Sequence, residues 1–173
     1  WGVGGMKVLV VGAGGRKQAL AWKLKQRAGV EEVLVAPGNA GTQQEPGVRN
    51  VEIAVTDTAG LITLCQRESI AFTVVGPEVP LVAGIVDAFA KASLTCFGPT
   101  AQAAQLEGSK AFSKDFMRRY NIPTAAHETF SDAATAKAYV RAQGAPIVIK
   151  ADGLAAGKGV IVAQTEEEAA GAI

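Results

Sequence analysis

The chain's 173 residues are 49 % hydrophobic and 19 % charged, with a formal net charge of +1; that is room for one ordinary domain, or for one small domain and part of a second. No apolar run nears the roughly 18 to 20 residues of a membrane span, and Lys and Arg are interspersed with Asp and Glu, so neither a membrane nor a nucleic acid is expected as a partner. Local positive charge suits small anions instead.

Trp1-Gly-Val-Gly-Gly5 precedes Met6 and lacks the charged start and apolar run of a signal peptide, so residues 1–5 read as a cloning remnant. Lys7 to Val11 has the β-branched pattern of a strand and ends at Gly12-Ala-Gly-Gly15; Gln18 to Arg27 then reads as a helix with Ala19, Leu20, Trp22 and Leu24 among its apolar positions. Val33 to Ala36 is a second strand running into Pro37-Gly-Asn-Ala-Gly41, and Val51 to Val55 suggests a third. Asp57 or Thr58 can cap a helix to about Glu68. Phe72 to Val75 leads into Gly76-Pro-Glu-Val-Pro80, followed by a predicted helix from Leu81 to Ala92 and a strand at Thr95 to Phe97 before Gly98-Pro-Thr100. Strands alternating with helices predict an α/β fold with a doubly wound parallel sheet. The loops at Gly12, Pro37, Gly76 and Gly98 all follow strands and should gather at the carboxyl edge, where open α/β sheets bind ligands. Arg16, Asn39 and Glu78 add polarity to that rim.

Gln102 to Tyr120 reads as one long amphipathic helix with Leu106, Phe112, Phe116 and Tyr120 on its core face and Lys110 and Lys114 on another. A strand is expected near Ala125 to Thr129, then a helix capped by Ser131 and closed by Gly144. Two apolar runs, Ile147 to Lys150 and Val160 to Ala163, flank a glycine-rich loop, and Thr165 caps a last helix with an acidic first turn. Cys65 and Cys96 lie in apolar patterns without metal-ligand spacing, which predicts two buried thiols in a reducing compartment, the cytoplasm.

The loop from Asp152 to Gly159 carries the most chemistry. Small residues let backbone N–H groups approach an anion, and Lys150 and Lys158 supply charge on either side. A Walker A loop would need Ser or Thr after its lysine and then a helix, but here Gly157-Lys-Gly159 runs into a strand pattern. A plain hairpin would need only a short Asn-Gly or Asp-Gly turn. Gly12-Ala-Gly14 invites a dinucleotide site; the third glycine of that motif falls at Lys17, and the second strand ends in Ala36-Pro-Gly38 without a ribose-binding acid. Gly14-Gly-Arg16 still offers a helix N-terminus and a guanidinium to a phosphate, with a tight turn and a solvated arginine as the alternative. Glu78, stiffened between two prolines, is either aimed at sugar hydroxyls or a solvated turn residue. Lys110 on a helix face is ordinarily solvated, whereas Lys150 at the end of an apolar strand is less expected to be. His127, the single histidine, reads as an ordinary strand residue. No nucleophile triad, zinc spacing or paired-carboxylate motif can be assembled, so no catalytic residue or metal ligand is assigned.

The segments Val10-Val-Gly-Ala-Gly-Gly-Arg16, Ala36-Pro-Gly-Asn-Ala-Gly-Thr42, Val75-Gly-Pro-Glu-Val-Pro-Leu81, Phe97-Gly-Pro-Thr100, Gln105-Leu-Glu-Gly-Ser-Lys-Ala-Phe112 and Lys150-Ala-Asp-Gly-Leu-Ala-Ala-Gly-Lys-Gly159 occur in this order. In combination they resemble the amino-terminal portion of the glycinamide ribonucleotide synthetase family, the phosphoribosylamine–glycine ligases among ATP-grasp enzymes, over nearly everything from Met6 onward. The resemblance implies a Rossmann-like pre-ATP-grasp domain for phosphoribosyl substrate over residues 6–101, a connecting helix over 102–122, and an incomplete α+β ATP-grasp small lobe over 123–173. It implies an ATP- and Mg²⁺-dependent ligase of purine synthesis acting on glycine and 5-phosphoribosylamine through glycyl phosphate. Gly15 and Arg16 would meet the phosphate end or adjoining sugar, Asn39 and Gly41 would line the same crevice, and Glu78 would accept hydrogen bonds from ribose hydroxyls. Lys110 and Lys150 would contact nucleotide phosphates, and Ala155, Ala156, Gly157, Lys158 and Gly159 would close over them.

The family usually reads Gly-Gly-Arg-Glu-His-Ala-Leu where this chain has Gly14-Gly-Arg-Lys-Gln-Ala-Leu20, so an acid and an imidazole become Lys17 and Gln18. The adenine pocket, Mg²⁺ ligands and glycine contacts would lie beyond Ile173, and the chain alone is expected to be inactive. The alternatives are a non-catalytic phosphoribosyl-binding module and a related ATP-grasp ligase with another substrate.

Overall fold

Strand β1 (Met6–Gly12) is apolar at four successive positions, Val8 to Val11, and all four are at most 2 % exposed. A strand buried on both faces needs cover on each, which parallel sheets obtain from their crossover helices. In a computed structural model, which describes residues 5–155 and 159–173, β1 lies at the centre of a five-stranded parallel sheet. It is joined there by β2 (Val30–Pro37), β3 (Val48–Asn50), β4 (Phe72–Val75) and β5 (Cys96–Phe97), in the order β3-β2-β1-β4-β5. On one face Leu9, Val11, Leu34 and Ala36 pack against α3 (Thr58–Glu68) through Leu61 and Leu64, and against α5 (Ile85–Lys91) through Ile85 and Phe89. On the other, Val8, Val10, Val33 and Val35 pack against Ala21 and Leu24 of α1 (Gly15–Lys25).

Register fixes where the loops go. Gly12 of β1 stands opposite Pro37 of β2, and Val11 opposite Val75 of β4, so the loops after these strands share one edge. The chain leaves β1 toward β2 on one side and returns to β4 on the other, which opens a crevice between the carboxyl ends of β1 and β4. Short helices α2 (Ala40–Gln44) and α4 (Glu78–Val82) start from that rim.

Several elements differ from expectation. The third strand is Val48–Asn50; Val51, Ile53 and Val55 pack on the core from irregular backbone, so their alternation marks burial and not ladder pairing. The helix expected from Leu81 to Ala92 is split into α4 and α5 at Gly84, whose φ of 88° no helix tolerates. The single helix expected over Gln102 to Tyr120 is two, α6 (Ala101–Gly108) and α7 (Lys110–Arg119), because Ser109 takes an extended conformation and caps α7 through the amide of Phe112. That break removes the expected common face: Leu106, Phe112 and Tyr120 are exposed. On α1, Leu20 and Trp22 are exposed, while Lys17 is buried.

The chain divides into two units, one ending at Ala104 and the other beginning at Gln105. In the second, β6 (Ile147–Lys150) and β7 (Val160–Ala163) form an antiparallel pair packed on α8 (Ala133–Gln143) and α9 (Glu166–Ala172) through Val140, Ala163 and Ala169. Asp132, not Ser131, caps α8, accepting from the amide of Thr135 at 2.8 Å. Residues 125–129 form no strand, and His127 is half-buried in irregular backbone lining a groove with Met117 and Arg118. Cys65 is buried and Cys96 half-buried; burial pushes the Cys96 thiol up to about 11, which keeps it protonated and poorly nucleophilic. Among the described residues no helix is long and apolar enough to cross a membrane.

Phe89 is fully buried against the central sheet. Phe89→Ala should therefore lower the unfolding free energy by about 3–5 kcal/mol in urea denaturation.

Candidate functional site

At the sheet edge the start of α1 is open. Its N-cap, Gly14, provides no side-chain cap, and its first turn holds no acid. A Cβ built at Gly14 or Gly15 would meet nothing within 4 Å beyond its chain neighbours, so other elements do not crowd these two positions. The first amides of a helix have no intrahelical acceptor and carry partial positive charge, which suits a phosphate. Arg16 extends from this turn and pairs with Glu78, the first residue of α4, at 3.6 Å. The two side chains are 79 % and 43 % exposed, so the pair is solvent-screened and weak.

The loop after β2 is held differently. Asn39 accepts from the amide of Thr42 at 3.0 Å and donates from Nδ2 to the carbonyl of Ala13 at 2.6 Å, tying this loop to the one after β1. Thr42, fully buried, accepts from the amide of Asn39 at 2.8 Å, and its hydroxyl proton faces Asn50 Oδ1 at 2.6 Å and the Asn39 carbonyl at 2.9 Å. Both polar ends of the Asn39 side chain are thus engaged in shaping the rim. Gly41 abuts the Gln18 side chain, whose amide would clash with a Cβ at that position. Thr42→Val leaves the Asn39 amide and Asn50 Oδ1 without their hydroxyl partner, and should cost about 1–3 kcal/mol in chemical denaturation.

Lys17 was visible in the sequence only as a departure from a motif, and burial is what gives it significance. It is 6 % exposed. Its stem crosses the β1/β4 crevice so closely that a Cβ at Gly12 would lie 2.6 Å from its Cγ, and one at Gly76 would clash with its Cε.

In the second unit, the start of the glycine-rich loop is clamped to α7. The Asp152 carboxylate accepts from the amides of Lys110 at 2.6 Å and Ala111 at 3.2 Å and from the Ser109 hydroxyl at 3.1 Å. Lys110 completes the clamp by donating from Nζ to the carbonyl of Gly153 at 2.7 Å. Lys150 is exposed at the end of β6, opposite Val160. The far limb of the loop returns close by: a Cβ at Gly159 would come within 2.7 Å of the Ala155 methyl, so only glycine fits. Ala156, Gly157 and Lys158 lie outside the described residues.

Burial raises the pKa of Asp152, but hydrogen bonds from Ala111, Gly153, Ser109 and Lys110 outweigh it and hold the carboxyl below its ordinary value. A depressed folded-state pKa contributes stability above the unfolded value, near 3.9, that is lost as pH falls through the folded value. The protection of the Lys110 and Ala111 amides, measured as hydrogen exchange relative to the unfolded chain at the same pH, should therefore fall on acidification below about pH 4. Asp152→Asn should remove that pH dependence of protection.

Among the described residues no group of three or more His, Cys, Asp or Glu side chains is placed to hold a metal ion. Asp152, the acid of the loop, is turned onto the α7 amides.

A parallel sheet followed by a glycine-rich segment between antiparallel strands is the architecture this chain shares with ATP-grasp enzymes. The family model described as "Phosphoribosylglycinamide synthetase, ATP-grasp (A) domain" matches residues 108–173. The model described as "Phosphoribosylglycinamide synthetase, N domain" matches residues 6–107, and the chain belongs to the phosphoribosylglycinamide synthetase family. It is 63 % identical over 168 residues to a phosphoribosylamine–glycine ligase of Vibrio vulnificus, and 64 % identical over 168 residues to one of Xanthomonas campestris. In both cases the alignment takes in 97 % of this chain and 39 % of the relative. The crystal structure of the Thermotoga maritima phosphoribosylamine–glycine ligase superposes with a TM-score of 0.73 at 32 % identity, over 96 % of this chain and 38 % of that one. The chain thus spans about two fifths of the length of the curated relatives it matches.

Proposed function

We propose that this chain provides the phosphoribosyl-binding portion, and the first part of the nucleotide-binding portion, of an ATP-dependent phosphoribosylamine–glycine ligase. The observation that carries this reading is the uncapped start of α1, from whose first turn Arg16 reaches Glu78 of α4. A phosphate monoester docks on the α1 amides of Gly15 and Arg16 with the guanidinium as a bidentate partner. Glu78, brought to the same rim, accepts hydrogen bonds from the ribose hydroxyls, while Asn39 and Gly41 keep the opposite wall in shape.

In the reaction a glycine carboxylate oxygen attacks the γ-phosphorus of ATP, releasing ADP and forming glycyl phosphate. The amine of 5-phosphoribosylamine then attacks the acyl carbon; phosphate leaves and the amine loses a proton to give the amide. Lys150, exposed beside the loop, neutralises nucleotide phosphate charge. Lys110 acts first on the protein, steadying the loop through the Gly153 carbonyl, and meets phosphate only by exchanging that partner. No step is assigned to Mg²⁺ through these residues. The 173-residue chain binds the sugar phosphate without turnover, as a cytoplasmic enzyme's amino-terminal portion.

Isothermal titration calorimetry of the chain should detect ribose 5-phosphate, with no ADP formed when ATP and glycine are added. Arg16→Ala should weaken binding roughly tenfold, the loss expected for one charge-assisted hydrogen-bonded contact. Absence of heat with ribose 5-phosphate would overturn the reading, as would equal affinity for unphosphorylated ribose.

A further inference from the structure

The sheet-edge crevice contains a cation for which the described residues offer no counterion. Lys17 is the third residue of α1, and side chains at that position lean back toward the helix N-terminus. Its stem lies between the glycines that end β1 and follow β4, and it is more than nine-tenths buried. Among the described residues its ammonium makes no ion pair, and the acid on the same rim, Glu78, is paired with Arg16. No buried side-chain nitrogen or oxygen among them lacks a hydrogen-bond partner. The Lys17 ammonium, for which no hydrogen bond is found among the described residues, is therefore not fully cut off from solvent. Buried charges are ordinarily paired, because the protein interior solvates them poorly. The first turn of α1, without a side-chain cap and uncrowded at Gly14 and Gly15, stands at the same rim.

We infer that Lys17 is a phosphate-binding residue: its ammonium meets the phosphate monoester from within the β1/β4 crevice while the α1 amides and Arg16 hold it from the rim. This rests on the phosphoribosyl reading above and adds to it. Glu78 offsets part of the Arg16 charge, and Lys17 adds a positive charge that pairs with no acid among the described residues. Gly12 and Gly76 leave the channel along which its stem reaches the ligand. An ammonium held there by packing loses less conformational freedom on binding than a surface lysine does.

The test uses the 173-residue chain with ¹³C-labelled lysine, titrated separately with ribose 5-phosphate, inorganic phosphate and ribose. Both phosphate-bearing probes should shift the Lys17 Cε resonance, and ribose should not. By calorimetry Lys17→Met, which keeps the stem's length, should weaken ribose 5-phosphate binding about tenfold and reduce its salt dependence. Lys17→Arg should recover part of the loss, and circular dichroism establishes that each variant is folded. If ribose 5-phosphate binds but leaves the Lys17 resonance unmoved, the inference fails and the phosphoribosyl reading stands. Should inorganic phosphate shift Lys17 while ribose 5-phosphate binds no more tightly, the anion site holds and the phosphoribosyl reading fails. No response to either phosphate removes both. The resonance measurement on the unaltered chain decides the matter even if the variants do not fold.

Discussion

Burial of β1 on both faces is the constraint from which the amino-terminal unit follows. Val8 to Val11 can be dry only if strands flank β1 and helices cover both sides, and each helix that does so returns the chain to begin another parallel strand. The strands then end along one edge, and their connecting loops, rich in Gly, Pro and Asn, have to meet there. The position of the site is thus a by-product of how the core is made dry. Its chemistry comes from a few polar side chains on those loops.

The alternation of strands and helices is legible in the sequence because β-branched runs, glycine stops and capping residues agree with one another. Asp57 and Thr165 cap the helices the sequence assigns them. Less legible is anything that turns on a single backbone angle. Gly84 and the Gly108-Ser109 step divide what hydropathy reads as continuous helix, and the apolar positions beyond each break point elsewhere. Val51, Ile53 and Val55 alternate like a strand because alternate residues touch the core, although the ladder has already ended.

The site divides the same way. Glycine-rich turns and the lysines beside them can be found by eye, as can the Arg16 and Glu78 positions. Residue identity does not disclose that Asn39 is spent on the Ala13 carbonyl and the Thr42 amide, or that Asp152 rests on the start of α7 with Lys110 against Gly153. Lys17 is the sharpest case. Helical periodicity gives it no reason to be buried, and only the apposition of Gly12 and Gly76 provides the slot that its stem fills.

The loose contact between Arg16 and Glu78 also bears on how a visitor enters the rim. A tight, dry ion pair would resist exchange and tax any newcomer that replaced it, whereas a hydrated one yields with little penalty. Until then it acts as a latch, keeping the guanidinium and the carboxylate near their stations and discouraging each from collapsing onto other parts of the surface.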